Sequence, residues 1–166
     1  MNTGARVRER NGQLELDIPQ SSNAYVGYTS VSHYDAVDSH LSVQLKSAGN
    51  QALSSLEAVT SLRKDPSNRV SVVVGNHLLT VRKTVAAVQT NLYSTAYDPI
   101  AMAYLRIREA QGVTFFEVAP DGVTYSPLYL VADPFDLSVV TVTLSAGTFR
   151  DETSNSLVVF DNVNLP

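Results

Sequence analysis

Residues 104–149 read YLRIREAQGVTFFEVAPDGVTYSPLYLVADPFDLSVVTVTLSAGTF, and the patterning of this stretch decides the fold class. Leu105 and Ile107 fall on one side of a period-two alternation, and Arg106 and Arg108 fall on the other. Gln111-Gly112 is a hairpin turn into a strand over 113–118, and Asp121-Gly122 turns into another over 123–131. Val140, Val142 and Leu144 then alternate with Thr141 and Thr143, and LVVFDNV at 157–163 closes the pattern. Each such strand buries one face and leaves the other to solvent or a partner. Two sheets of this kind stacked face to face make an all-β antiparallel sandwich or jelly roll.

The same reading extends toward the N-terminus. Strands are predicted over 14–18, 25–31, 41–45, 70–74 and 78–88, with a loop over 91–97. Residues 52–62 suit either a helix or a strand. Asp98-Pro99 opens the strand whose buried side includes Ala101 and Ala103. The total is roughly eleven strands with little helix. Residues 1–12 form a polar N-terminal arm bearing Arg6, Arg8 and Arg10, ahead of a sandwich domain over 13–166.

Composition bounds the function. A chain of 166 residues fits one domain and buries a core without staples. Charged residues make up only 17%, below the usual ~25%, and Ser, Thr, Asn and Gln fill the gap. The absence of cysteine excludes thiol chemistry and Cys-ligated zinc. A net charge of −4 argues against a nucleic-acid binder, and no apolar run reaches the length of a membrane span. No apolar stretch follows the N-terminal arginines, so the chain reads as Met-initiated without a signal peptide.

The succession LRIR (105–108), TFFEV (114–118), DGVTY (121–125), VTLSAG (142–147) and VVFDNV (158–163) resembles the concanavalin A-like lectin/glucanase superfamily. YDAV (34–37) before LSV (41–43), SNRV (67–70) and AYDP (96–99) extend the resemblance over about residues 14–165. It implies a two-sheet jelly roll. Such modules occur on phage tail proteins and on bacterial glycan-binding and surface proteins. The fold hosts lectins, hydrolases and scaffolds alike.

Glycoside hydrolysis needs two carboxyls across a groove. The superfamily's glucanases carry them as E-x-D-x-x-E on one strand, a pattern missing here. Glu109 and Glu117, facing across the Gln111-Gly112 hairpin, are the remaining pair, and the expectation is that the chain is not an enzyme. His33, His40 and His77 lie in loops and turns without a G-x-S-x-G elbow. His33, Asp35, Asp38 and His40 cluster in sequence but match no metal-ligand spacing. Calcium is the ion the resemblance implies, with Asp161 as its candidate ligand beside Asn162; no other cofactor is expected.

Tyr25, Tyr28, Tyr34, Tyr93, Tyr97 and Tyr125 are candidates for sugar stacking or for anchoring an interface. The expected function is a non-enzymatic bacteriophage virion component. Its expected form is a capsid decoration protein, docked through Arg6, Arg8 and Arg10 onto the major capsid protein or another virion protein. A homo-oligomer, a trimer, on the virion surface goes with that reading. The alternative is a tail-tip, fibre or lectin-like module that binds host cell-surface glycans. Neither involves nucleic acid or membrane.

Overall fold

The computed structural model describes residues 4–21 and 23–166. Residues 1–3 of the expected arm lie outside them. The described residues form strands and turns without a helix. The strands are β1 (Arg6–Arg10), β2 (Gln13–Ile18), β3 (Tyr25–Thr29), β4 (His40–Ala48), β5 (Leu56–Asp65), β6 (Asn68–Gly75) and β7 (Leu78–Val85). Then come β8 (Val88–Ala96), β9 (Tyr104–Ala110), β10 (Val113–Ala119), β11 (Ser126–Ala132), β12 (Thr141–Thr148) and β13 (Ser156–Asn164). A back sheet has the order β1-β2-β13-β4-β9-β10-β11, and a front sheet has the order β3-β12-β5-β6-β7-β8. The N- and C-terminal strands β2 and β13 pair antiparallel in the back sheet, and β3 and β12 do so in the front sheet. This is the all-β jelly roll that the alternation predicts.

Alternation places the core between the sheets. Leu16 and Ile18 of β2, Leu41 and Val43 of β4, Leu105 and Ile107 of β9, and Phe116 and Phe160 point inward from the back sheet. Leu56, Ala58 and Leu62 of β5, Val70, Val72 and Val74 of β6, and Val142 and Leu144 of β12 meet them from the front. Phe116 and Phe160 are the largest fully buried side chains.

Several boundaries differ from the sequence reading. Residues 78–96 form a hairpin, β7 and β8, rather than one strand followed by a loop. Its turn is Ala86-Ala87, at φ +49° and +65°, and carries none of the usual glycine or asparagine signal. The neighbouring β5–β6 turn holds it: Ala86 N donates to Asn68 Oδ1 at 3.1 Å, and Ala87 N donates to the Ser67 carbonyl at 2.9 Å. Residues 52–55 are turn, and the ambiguous segment becomes strand only from Leu56. Asp98 accepts from the amides of Ile100 at 2.8 Å and Ala101 at 3.1 Å. That cap keeps Ala101 and Ala103 in a turn, and β9 starts at Tyr104. Asp121 likewise caps Val123 and Thr124, delaying β11 to Ser126.

The expected polar arm is a strand over its described part. β1 pairs with β2 through a tight turn at Asn11-Gly12, so the proposed boundary at residue 12 falls inside a hairpin. Arg8 donates to Asp17 at 3.2 Å and lies 3.9 Å from Glu15. A polar strand needs no core of its own when its backbone completes a sheet edge.

Candidate functional site

The outward face of the front sheet is built by the other half of each alternation. Glu57, Val59 and Arg63 of β5, Arg69, Ser71 and Val73 of β6, Arg82 of β7, and Thr143 and Ser145 of β12 point away from the core. Together with Tyr25 they line a cleft of about 840 Å³. Small hydroxyl side chains and three valines, Val26, Val59 and Val73, line it between the longer arginines, Gln89, Tyr25 and Phe149.

At one end, the Tyr25 hydroxyl donates to Glu57 Oε2 at 2.5 Å, and Arg82 Nη1 lies 2.6 Å from Glu57 Oε1. Tyr25 and Glu57 belong to strands separated by β12, where Gly147 stands opposite both. A Cβ on Gly147 would sit 2.7 Å from Tyr25 Cγ, so the missing side chain is what lets the tyrosine ring cross to Glu57. Burial, then the Glu57 hydrogen bond and charge, push the Tyr25 hydroxyl well above the usual tyrosine range. It stays a neutral donor at physiological pH. Arg82 is held further by Asn91, whose Oδ1 accepts from its Nε at 3.1 Å. At the other end, Arg63 and Arg69 stand opposite each other across β5 and β6.

Of the six candidate tyrosines, only Tyr25 lines this cleft. Tyr28 lies in a second groove of about 440 Å³ between the sheets, with Leu14, Val142 and Phe160. Tyr34 and Tyr97 pack against the core. The Tyr97 hydroxyl is buried, which pushes it up to about 12, and it has no hydrogen-bond partner among the described residues. Tyr93 stacks on Tyr129, with ring centroids 6.1 Å apart. Tyr125 lies on the back sheet under the Arg106 guanidinium, 3.7 Å away. Arg6, Arg8 and Arg10 share one face of β1, opposite Asp17, Glu15 and Gln13.

Glu109 and Glu117 do not face each other. The register pairs Glu109 with Thr114 and Glu117 with Arg106. Arg106 and Arg108, two residues apart on β9, share the outward face with Glu117, whereas Glu109 is an odd step away and points in with Leu105 and Ile107. Glu109 is buried, accepting from the amides of Asp38 at 2.5 Å and Gly112 at 2.6 Å. It braces loops rather than facing a groove.

Glu117 receives Arg106 Nε at 2.6 Å and Arg108 Nη2 at 3.2 Å. Desolvation raises its pKa, but the hydrogen bonds from Arg108 and Arg106 outweigh that and hold the carboxyl below its ordinary value. The stability it contributes is therefore present above the ordinary glutamate pKa of about 4.3 and lost as pH falls through the depressed value. Glu117→Gln is expected to cost about 1–3 kcal/mol at neutral pH, with the partly exposed arginines softening the loss. Thermal melts from pH 7 to 3 should show the gap to wild type closing on acidification; a constant gap would contradict this origin.

Asp161 accepts from Asn162 N at 2.8 Å and Gln13 Nε2 at 3.2 Å, with Lys46 Nζ at 3.4 Å. An ammonium and two N–H donors around the carboxylate do not fit a calcium site, which gathers oxygen ligands. No group of three His, Cys, Asp or Glu suited to a metal exists among the described residues, the 33–40 cluster included. His40 instead meets Asn164 Nδ2 at 2.9 Å. Glu57, Arg63, Arg69 and Arg82 are not among the candidate residues of the sequence reading. The alternation over 57–63 and 69–73 puts these side chains on one face, but the pairing that joins them spans separate hairpins.

No protein-family model and no characterised protein sequence matches the chain. Solved structures do. A functionally unknown protein from Saccharomyces cerevisiae has a TM-score of 0.63 at 15% identity, covering 97% of this chain and 92% of that one. A prokaryotic β-1,3-1,4-glucanase (lichenase) from a mouse hindgut metagenome has a TM-score of 0.67 at 10% identity, covering 95% and 81%. A Bacillus licheniformis β-glucanase has a TM-score of 0.68 at 7% identity, covering 95% and 80%. The expectation that the chain is not an enzyme is corrected by these neighbours. It rested on one missing carboxylate pattern, whereas the architecture is one on which glycoside hydrolases are built. The chain has the concanavalin A-like jelly-roll fold.

Proposed function

We propose that the chain binds carbohydrate in the front-sheet cleft. The observation that carries this reading is the lining of the cleft. Hydroxyl, amide and guanidinium groups surround the outward-facing Val59 and Val73, with Tyr25 at the rim still 43% exposed. Polar groups of this kind bond sugar hydroxyls, and apolar patches and a tyrosine ring cover the C–H faces. Glucanases sharing the fold support the ligand class.

Calorimetric titration against a panel of neutral and acidic oligosaccharides tests it. At least one member should bind, and Tyr25→Ala should weaken that binding by about 10- to 30-fold. A panel without a binder sinks the reading. Sizing the recovered oligosaccharides by chromatography reads cleavage in the same tubes. The finer form of the reading places this cleft on a virion surface, at a tail tip or capsid, where it would meet host polysaccharide. Mass spectrometry of purified particles tests that placement.

A further inference from the structure

One end of the cleft carries charge that a neutral glycan does not use. Arg63 and Arg69 are cross-strand partners on the same outward face. Like charges directly opposite each other on a sheet are destabilising. Neither forms an ion pair with a carboxylate among the described residues. Both are nevertheless anchored through Nε. Arg63 donates to the Asp65 carbonyl at 3.1 Å, and Arg69 donates to Thr84 Oγ1 at 3.3 Å. Those bonds steady the side chains while the terminal Nη nitrogens of both keep no protein acceptor among the described residues. The carboxylate that lines the cleft, Glu57, is already engaged by Arg82 and Tyr25. Positive charge at the Arg63–Arg69 end is thus uncompensated in a chain whose net charge is −4.

We infer that the Arg63–Arg69 end of the cleft binds an anionic group, and that the bound glycan is an acidic polysaccharide. Its carboxylate or sulfate bridges the two guanidinium groups, whose paired N–H donors match either oxyanion. This rests on the reading of the cleft as a carbohydrate site. Nucleic acid fits less well. Its bases need successive aromatic platforms, and the aromatic side chains lining the cleft are Tyr25 and Phe149, set among hydroxyl groups suited to sugars.

The test titrates the full chain at low salt with four probes of matched length. They are an oligogalacturonate, a keratan sulfate fragment (sulfated but free of uronic acid), a neutral β-glucan oligosaccharide and a single-stranded oligonucleotide. One or both acidic glycans should bind about 10- to 100-fold tighter than the neutral one, and which one does so separates carboxylate from sulfate. The preference should shrink as salt rises. Arg63→Gln with Arg69→Gln should abolish the preference while neutral binding persists. Arg63→Lys with Arg69→Lys should keep part of it, since charge remains and the planar fork is lost. Without ligand, the double glutamine variant should melt about 1–3 °C higher, because a like-charge pair has been removed.

Equal binding of acidic and neutral glycans by the wild type overturns the inference and leaves the carbohydrate reading standing. So does a preference that survives in the glutamine variant. A fall of several degrees in its melting temperature would make the arginines structural supports and also overturn it. An oligonucleotide that binds more tightly than every glycan would assign the patch to nucleic acid instead. If no glycan binds at all, the carbohydrate reading fails and this inference fails with it.

Discussion

Phe116→Ala is expected to destabilise the fold by about 3–5 kcal/mol, a large share of the 5–15 kcal/mol that holds a typical domain together. Phe116 is fully buried at the middle of β10, with Ile107 and Tyr129 as its cross-strand partners. Truncation removes a ring from water-free contacts and leaves a void between sheets that cannot close without moving both. Denaturant unfolding would read the loss as a lower midpoint with an unchanged slope. The adjacent Phe115→Ala is the internal control. Its ring faces outward under the Arg108 guanidinium, 4.1 Å away, so about 0.5–1 kcal/mol is at stake in that contact. Equal losses at the two positions would mean that the inward and outward faces of β10 have been misassigned.

Gly49→Ala should cost about 2–4 kcal/mol, from two separable causes. Gly49 sits at φ +74°, where any side chain is strained. Its added Cβ would also lie 2.2 Å from Ser156 Oγ and 2.8 Å from Leu56 Cδ2. The Ser156 hydroxyl accepts from Asn50 N at 2.8 Å, so displacing it breaks a bond that ties the end of β4 to β13. Gly112 provides the comparison, with φ +79° and nothing within 4 Å of an added Cβ. Gly112→Ala should show the strain alone, about 1–2 kcal/mol. If both variants lose the same amount by thermal or chemical unfolding, the steric part of the argument is wrong.

Strands with strict alternation were readable from the chain. Leu105/Ile107 against Arg106/Arg108 and Val142/Leu144 against Thr141/Thr143 need only local order to declare two faces. Elements that depend on a neighbour were not. The Ala86-Ala87 turn takes its support from Ser67 and Asn68, which belong to another hairpin. β1 is too polar to announce itself and becomes a strand because β2 offers it an edge. The N-terminal segment, expected as an arm docked on a virion partner, pairs over its described part with β2.

The site divides along the same line. Tyr25 could be singled out as an aromatic at a strand end. Its partners could not, because Glu57 lies across β12 and Arg82 comes from a third strand. Composition and period-two patterning by themselves determined an all-β sandwich, its inward residues and its freedom from cysteine chemistry, since these follow from what each residue does in its own strand. Only the tertiary structure decided which outward residues share a cleft. Pairing register brings Arg63 opposite Arg69, and the missing side chain of Gly147 lets Tyr25 reach Glu57. Register is a relation between strands, and no single strand contains it.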